Sequence, residues 1–306
     1  MEENKIYDVI IIGGSYAGLS AALSLGRSLR KTLIIDAGEP CNKQTPHSHN
    51  FLTHDGTPPS KITLLAKKQV AAYDSISFVV GFATKVDTHE NGFVVHLENG
   101  AFYEGKKIIL ATGIKDLMPE IPGFQDCWGI SVIHCPYCHG YEYRGKKIGL
   151  LAKPEQAFHL ASLLLNLGND ITIMQVEPSA FTKEQLKTLH QHNIKILNNN
   201  VTAIEHKTGY LQQVILDNGE KLSFSAIYAG LPFEQHSAIP TSLKCELTEQ
   251  GYIKTDHFQK TSVPGVFACG DNCVPMRSVA QAVASGNIAG AVANMELSQE
   301  SFIPIS

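Results

Sequence analysis

The first ordered pattern in the chain is an apolar run, Tyr7-Asp8-Val9-Ile10-Ile11-Ile12, followed at once by glycines, which signals a strand buried on both faces. Leu19, Ala22 and Leu23 then recur at helical spacing, and that segment ends in a basic turn at Arg27, Arg30 and Lys31. A second strand is expected from Thr32 to Ile35, closed by Asp36. Strand, glycine loop, helix and strand together predict a right-handed βαβ unit. The plan repeats from Lys147, with a strand over Ile148 to Leu151, a helix over Glu155 to Leu167 and a strand over Ile171 to Met174. The echo extends further. Phe93 to Leu97 leads into Asn99-Gly100, and Val214 to Leu216 leads into Asn218-Gly219; Asn-Gly between strand-like runs marks a hairpin. Each hairpin precedes a short apolar strand ending in a small-residue turn, Ile108 to Gly113 and Ile227 to Gly230. The whole reads as an internal duplication.

The fold class expected is α/β, with two Rossmann-like, doubly wound, three-layer domains, the second inserted into the first. Pro119, Pro122 and Gly123 mark a linker after the first unit, Pro232 and Pro240 bracket the exit from the second, and the tail from Pro264 returns to the first. The boundaries predicted are 1–115 with 242–306 for a discontinuous cofactor domain, and 116–241 for the inserted one. A length of 306 residues suits two domains, and 43% hydrophobic with 18% charged residues describes a packed globule. A net charge of −4 leaves no electrostatic footprint for nucleic acid. No apolar run reaches the roughly 18 residues of a membrane span. Residues 1–5 lack the basic and apolar regions of a signal peptide, so a cytoplasmic protein is expected.

Three motifs carry candidate chemistry. Gly13-Gly14-Ser15-Tyr16-Ala17-Gly18 lies directly after a strand and opens a helix, where a dinucleotide pyrophosphate would rest on backbone N–H groups. Asp36, about 20 residues on, stands where an acid accepts hydrogen bonds from adenosine ribose hydroxyls. Ser15 replaces the middle glycine of that fingerprint and narrows the approach to the phosphates. The second motif, Gly265 to Asp271, is a short strand ending in Gly270-Asp271, the arrangement that presents an Asp to a flavin's ribitol. The helix expected after it, Val279 to Met295, is rich in Ala and Gly, and its N-terminus would favour an electron-rich flavin. The third is Cys135-Pro136-Tyr137-Cys138-His139-Gly140-Tyr141-Glu142. Seven cysteines without a secretion signal do not form a disulfide framework, and the close C-x-x-C reads as redox-active or metal-binding. Zinc would need a second ligand pair; the close candidates, Cys269 and Cys273, lie inside the flavin motif, so no metal is expected.

Taken in this order, GGSYAG, Ala111-Thr112-Gly113, CPYC and GVFACGD resemble the low-molecular-weight thioredoxin reductases over nearly the whole chain. The resemblance implies an FAD enzyme acting on sulfur, a homodimer, and a domain rotation that carries the cysteine pair between flavin and substrate. It implies that Cys138 is the thiol next to the flavin and that Cys135 exchanges with a dithiol or disulfide substrate, small or thioredoxin-like. It also assigns cofactor contacts to Thr112, Gly113, Asn50, Ala83, Arg277, Ser278 and Val279. Histidines 47, 49 and 54 lie around that Asn50 segment; in so polar a loop they are expected to be solvated or packing residues, with a substrate-pocket role as the lesser alternative.

Two departures from that family alter the chemistry expected. His139 stands where those reductases carry an Asp, and with an ordinary pKa near 6.5 it suits proton transfer, with His134 as a second shuttle. The CPYCHGYE string is similar to fungal dithiol oxidases that close disulfides in gliotoxin-type metabolites. The second departure is the second glycine loop, where Gly-Gly-Gly-Asp-Ser-Ala is replaced by Ala152-Lys153-Pro154-Glu155-Gln156-Ala157, and Met174-Gln175-Val176-Glu177-Pro178 carries no arginine for a 2′-phosphate. NADPH is therefore not expected to reduce the protein efficiently, and electrons are expected to run from a substrate dithiol to the flavin. The alternatives are an NAD(P)H-dependent thioredoxin reductase and, from another class, a non-catalytic flavin redox sensor.

Overall fold

The computed structural model describes residues 6–168, 170–175 and 177–303. Residues 1–5 and Val176, on which the signal-peptide and 2′-phosphate expectations partly rest, lie outside the described residues. The chain divides into two compact units, one of residues 1–43, 51–115 and 234–306, the other of residues 44–50 and 116–233.

In the first unit, alternation along Tyr7–Ile12 sends Ile10 and Ile12 into one core and Val9 and Ile11 into another, and Ile10 and Ile11 are fully buried. A strand covered on both faces must be apolar along its buried length, which explains the run Val9 to Ile12, while Asp8 near its start is only half-buried and pairs with Lys106 at 3.0 Å. The parallel strands stand in the order Ile76–Val80, Thr32–Asp36, Tyr7–Ile12, Phe102–Leu110, Val266–Ala268. Helices cover one face. The antiparallel strands Ala83–His89 and Gly92–Leu97 continue from Phe102–Leu110 and bring Val86, Phe93, Val95 and Leu97 to the other. One strand therefore serves both as the hairpin's return and as the apolar strand that the sequence suggests separately.

The second unit repeats the succession: Lys195–Ile196, Asp170–Ile173, Lys147–Leu151, Ala226–Ala229, Val132–Ile133, all parallel. Its antiparallel layer is Val201–Lys207, Tyr210–Leu216 and Lys221–Leu222. The edge strand differs in origin. In the second unit it precedes the βαβ core in sequence; in the first it arrives from the C-terminal return, as an inserted unit requires.

Two helix ends depart from expectation. The first helix, Tyr16–Arg27, stops before Arg30 and Lys31 because Leu29 takes a left-handed conformation (φ 57°). Arg30 instead donates to Asn294 Oδ1 at 2.7 Å and Ser298 Oγ at 2.7 Å. Those acceptors lie on the last helix, Val279–Phe302, which runs seven residues past Met295. The two helices approach closely enough that a β-carbon on Gly286 would overlap the Ala17 carbonyl, and one on Gly290 the Ala21 carbonyl. Ser20 Oγ donates to Val283 O across the same seam at 2.7 Å. Gly290→Ala is expected to cost about 1–3 kcal/mol by forcing the helices apart, whereas Ala284→Ser on the exposed side should stay within about 0.5 kcal/mol. Equilibrium denaturant unfolding of the two variants checks the difference.

Candidate functional site

The glycine loop sits at the carboxyl ends of the parallel strands of the first unit, where ligands bind in open α/β sheets. Gly13 has φ 108° and lies so close to the Ala111 carbonyl that a side chain would overlap it; Gly18 lies likewise against the Gly13 carbonyl. Ser15 is the N-cap of Tyr16–Arg27 and its side chain does not cap the helix, so the first turn presents its N–H groups and the positive end of its dipole outward. Tyr16 is buried, its hydroxyl donating to Pro59 O at 3.2 Å, and Ala17 packs in the helical core.

Asp36 accepts the Gly14 N–H at 3.1 Å through Oδ1 and pairs with Lys67 Nζ at 3.1 Å through Oδ2. A β-carbon on Gly14 would stand 2.8 Å from Asp36 Cγ, so this glycine is required by the carboxylate, a reason that the sequence does not show. Lys67, on the helix Pro59–Val70, is a partner missed by sequence reasoning because nothing in the spacing joins it to Asp36.

Two further strand ends and the start of the last helix meet there. Thr112 and Gly113 follow Phe102–Leu110, Gly113 with φ 67°. Gly270, with φ 86°, donates its N–H to Ser285 Oγ at 3.0 Å and leads into Asp271, whose Oδ2 lies 3.7 Å from Arg277 Nε. Ser278 caps the last helix by accepting the Gln281 N–H at 3.1 Å, with Val279 as the first helical residue. Asn272 is fully buried and ties two of these ends together, donating to Leu110 O at 2.9 Å and to Thr112 Oγ1 at 3.4 Å. Ala83 is buried at the start of its strand. Asn50, with φ 57°, groups with the second unit. Burial pushes the Cys273 thiol up to about 12, with the Asp271 charge adding to it, and raises Cys269 well above its ordinary value, so both stay protonated packing groups.

In the second unit Cys135 and Cys138 are joined as a disulfide, their Cα atoms 5.3 Å apart. The pair spans a single helical turn, Pro136–His139. Cys135 is its N-cap, with Sγ accepting the Cys138 N–H at 3.2 Å, and Pro136 takes the first position, where no N–H is needed. Gly140 is buried against Pro136 and Leu167 where a β-carbon would overlap. His139 is held low, to about 4, first by burial and then by the charge of His49, with Glu142 opposing both; it is neutral near pH 7. Tyr228 donates to the His139 carbonyl at 3.4 Å. His134 stacks on Trp128, ring centroids 6.0 Å apart. Among the described residues no three His, Cys, Asp or Glu side chains converge as metal ligands would, and no helix is long and apolar enough to cross a membrane.

The histidine group divides. His54 stacks on Phe51 in the first unit, while His49 lies beside His139 and Glu142 in the second. Residues 44–50 are seated there because Gly129, φ 76°, leaves room: a β-carbon would stand 2.9 Å from Thr45 Oγ1. No periodicity in that polar segment signals its destination.

The second unit's own strand-end crevice is built differently from the first. Lys153 is the N-cap of Pro154–Leu165, Pro154 fills its first position and Glu155 puts an acid in its first turn. The Gln156 amide occupies the space that a side chain at Gly230 would take, on the strand end opposite the loop. Gln175, just past Asp170–Ile173, has φ 59° and a side chain that donates to Asn200 Oδ1 at 3.4 Å.

The pyridine nucleotide-disulphide oxidoreductase family model matches residues 7–286. The thioredoxin reductase sirT of Leptosphaeria maculans is 33% identical, covering 95% of this chain and 94% of its own. The thioredoxin reductase aclD of Aspergillus oryzae is 31% identical, covering 93% and 94%. Among solved structures, an oxidoreductase from Agrobacterium tumefaciens superposes with a TM-score of 0.89 at 36% identity, covering 96% of this chain and 99% of that one.

Proposed function

The chain belongs to the pyridine nucleotide-disulphide oxidoreductases, as a thioredoxin reductase-like enzyme, and we propose that it oxidises a substrate dithiol at Cys135–Cys138, holding FAD in its first unit and using no pyridine nucleotide as reductant. The observation that carries this reading is the contrast between the two strand-end crevices. The first presents an uncapped helix N-terminus, a glycine turn and the acids Asp36 and Asp271, a donor and acceptor set that fits a flavin adenine dinucleotide. The second offers an N-cap lysine, a proline without an N–H and a glutamate where a phosphate would need positive charge. Its facing glycine is covered by Gln156.

The residues then divide the work. Gly13, Gly14, Ser15, Tyr16, Ala17 and Gly18 hold the pyrophosphate and Asp36 the adenosine ribose. Thr112, Gly113, Gly270, Asp271, Arg277, Ser278 and Val279 line the flavin end, with Ala83 as a further contact. FAD, when bound, supplies the two-electron acceptor. A substrate thiol gives its proton to His139, which is neutral near pH 7 and, being a weak base at about 4, takes it only as the sulfur attacks. The resulting thiolate attacks a sulfur of the pair, Cys135 being the exchanging one. The second substrate thiol then displaces the mixed disulfide. The substrate leaves as its disulfide, Cys135 and Cys138 hold the electron pair as thiols, and Cys138 is the one that hands it on. His134 is a second proton shuttle in this reading, and a homodimer is its functional unit.

Anaerobic titration of the purified flavoprotein tests it. Dithiothreitol is expected to bleach the flavin absorbance, with recovery in air, while NADPH and NADH leave it unchanged over the same interval. Prompt, saturable bleaching by NADPH would overturn the reading.

A further inference from the structure

We propose that His49 and Glu142 form the outer half of a proton relay that serves the Cys135–Cys138 disulfide through His139. The proposal rests on the dithiol reading above and adds two positioning residues to it. His49 Nε2 lies 3.6 Å from Glu142 Oε1. The rings of His49 and His139 meet edge to face, with centroids 6.2 Å apart and planes at 86°. His47 continues the row, its ring centroid 6.3 Å from that of His49. The groups come from two stretches of chain, His139 and Glu142 from the continuous turn after Cys135 and His49 from the 44–50 strap, so the meeting of His49 with the other two is not a by-product of local periodicity.

The outer members of the row are open to solvent: the side chain of His49 is 21% exposed and that of Glu142 38%, while His139 is half-buried, with desolvation the main influence on it. A proton taken from a substrate thiol at His139 therefore has an outlet toward solvent through His49 and the Glu142 carboxylate. The stoichiometry requires one. Two thiols become a disulfide, two electrons break the Cys135–Cys138 bond, and two protons must reach either the new thiolates or water. Glu142 favours a charged imidazole at His139 and His49 opposes it, so the two neighbours together set how briefly His139 holds a proton before giving it up. Other titratable groups around this turn are Tyr143, beside Glu142 and Tyr210, and Tyr228 on Ala226–Ala229, whose hydroxyl contacts the His139 carbonyl; burial raises the phenols of Tyr143 and Tyr228 and keeps them neutral, and the cations Arg144 and Lys146 lie over the rings of Tyr141 and Tyr143.

The test is the pH dependence of disulfide opening by dithiothreitol, read by acid quench, alkylation and mass analysis of the Cys135–Cys138 peptide. This readout does not depend on the flavin. With His139 acting as base, the wild-type rate should be nearly level from about pH 5 to about pH 7 and fall toward pH 4, the region in which His139 takes up its proton. His139→Gln should instead rise about tenfold per pH unit, because only pre-formed thiolate reacts. His49→Gln removes the opposing charge and should move the acidic fall up, by up to about one unit; Glu142→Gln removes the attraction and should move it down by a similar amount. Opposed shifts support the relay, and a merely structural role would not produce them. An unmoved fall in both variants, shifts of one sign, or a wild-type rate that itself climbs tenfold per unit would overturn it. Should His49→Gln fail to fold, the Glu142→Gln shift decides alone. Should dithiothreitol leave the wild-type disulfide closed, the dithiol reading fails; the relay is then judged on reduced protein reoxidised by oxidised dithiothreitol, where the same opposed shifts are required.

Discussion

Cys135→Ser and Cys138→Ser are each expected to lower dithiol oxidation by about a thousandfold or more while the protein stays folded. A serine oxygen cannot take the place of a sulfur in disulfide exchange, so the chemical loss is complete at either position. The structural cost is small and differs between the two. Cys135 caps the turn by accepting the Cys138 N–H, and serine is among the best residues for that role, so Cys135→Ser keeps the cap. Cys138 is a donor through its backbone only, and its side chain holds nothing but the bond to Cys135. Losing a cross-link over so short a loop costs about 2 kcal/mol on the chain-entropy account. The remaining cysteines offer no substitute. Burial raises Cys127, Cys245, Cys269 and Cys273 and keeps them as thiols, and Cys41 lies in the other unit, near Asp271. Steady-state oxidation of dithiothreitol, with thermal unfolding as control, measures both halves. Turnover by Cys138→Ser near the wild-type rate would mean that the pair is not the site of exchange.

How much of the fold and the site was legible in the sequence depends on the range of the interaction. The duplicated sheet order follows from apolar runs that must be covered on both faces, and Tyr7–Ile12 and Lys147–Leu151 show them plainly. The glycines at 13 and 18 are readable because turn and helix packing are local demands. Contacts set by distant residues leave no period behind. His49 reaches His139 across some ninety residues of sequence, from a strap that has polar composition and no repeat. Gln156 and Gly230 belong to separate strand ends, and only the fold brings the amide over the glycine. The return strand Phe102–Leu110 begins half-polar and ends apolar because it leaves one layer for another; a window of local pattern divides it into two. The last helix reaches Phe302 because Arg30 and Lys107 bond side chains near its end, at Ser298 and at Glu296 and Glu300. Neither partnership is visible within the helix's own sequence.

Gly14→Ala is expected to weaken FAD binding by about a hundredfold, or about 3 kcal/mol, through Asp36 rather than through the pyrophosphate loop. Gly14 does not have the left-handed backbone of Gly13, so alanine is tolerated by its own conformation. The conflict is with the Asp36 side chain, whose Cγ lies 2.8 Å from where the new methyl must go. The carboxylate must swing away, which stretches the Gly14 N–H bond to Oδ1 and pulls Oδ2 from Lys67. An acid displaced in this way no longer stands where two ribose hydroxyls would donate to it, and it leaves the Gly14 N–H without its acceptor. Asp36→Asn keeps the position and loses the charge, and its expected cost is smaller, about tenfold, because a neutral acceptor bonds hydroxyls more weakly than a carboxylate does. Gly13→Ala is the less informative variant, since it strains the backbone and overlaps the Ala111 carbonyl at once, and it would damage the unit itself. Titration of FAD into apoprotein of wild type, Gly14→Ala and Asp36→Asn separates the cases. If Gly14→Ala bound FAD as tightly as wild type, the adenosine ribose would have to rest somewhere other than Asp36. The ordering Gly14→Ala weaker than Asp36→Asn, with both folded, would instead tie the second glycine of the loop to the acid more than twenty residues away.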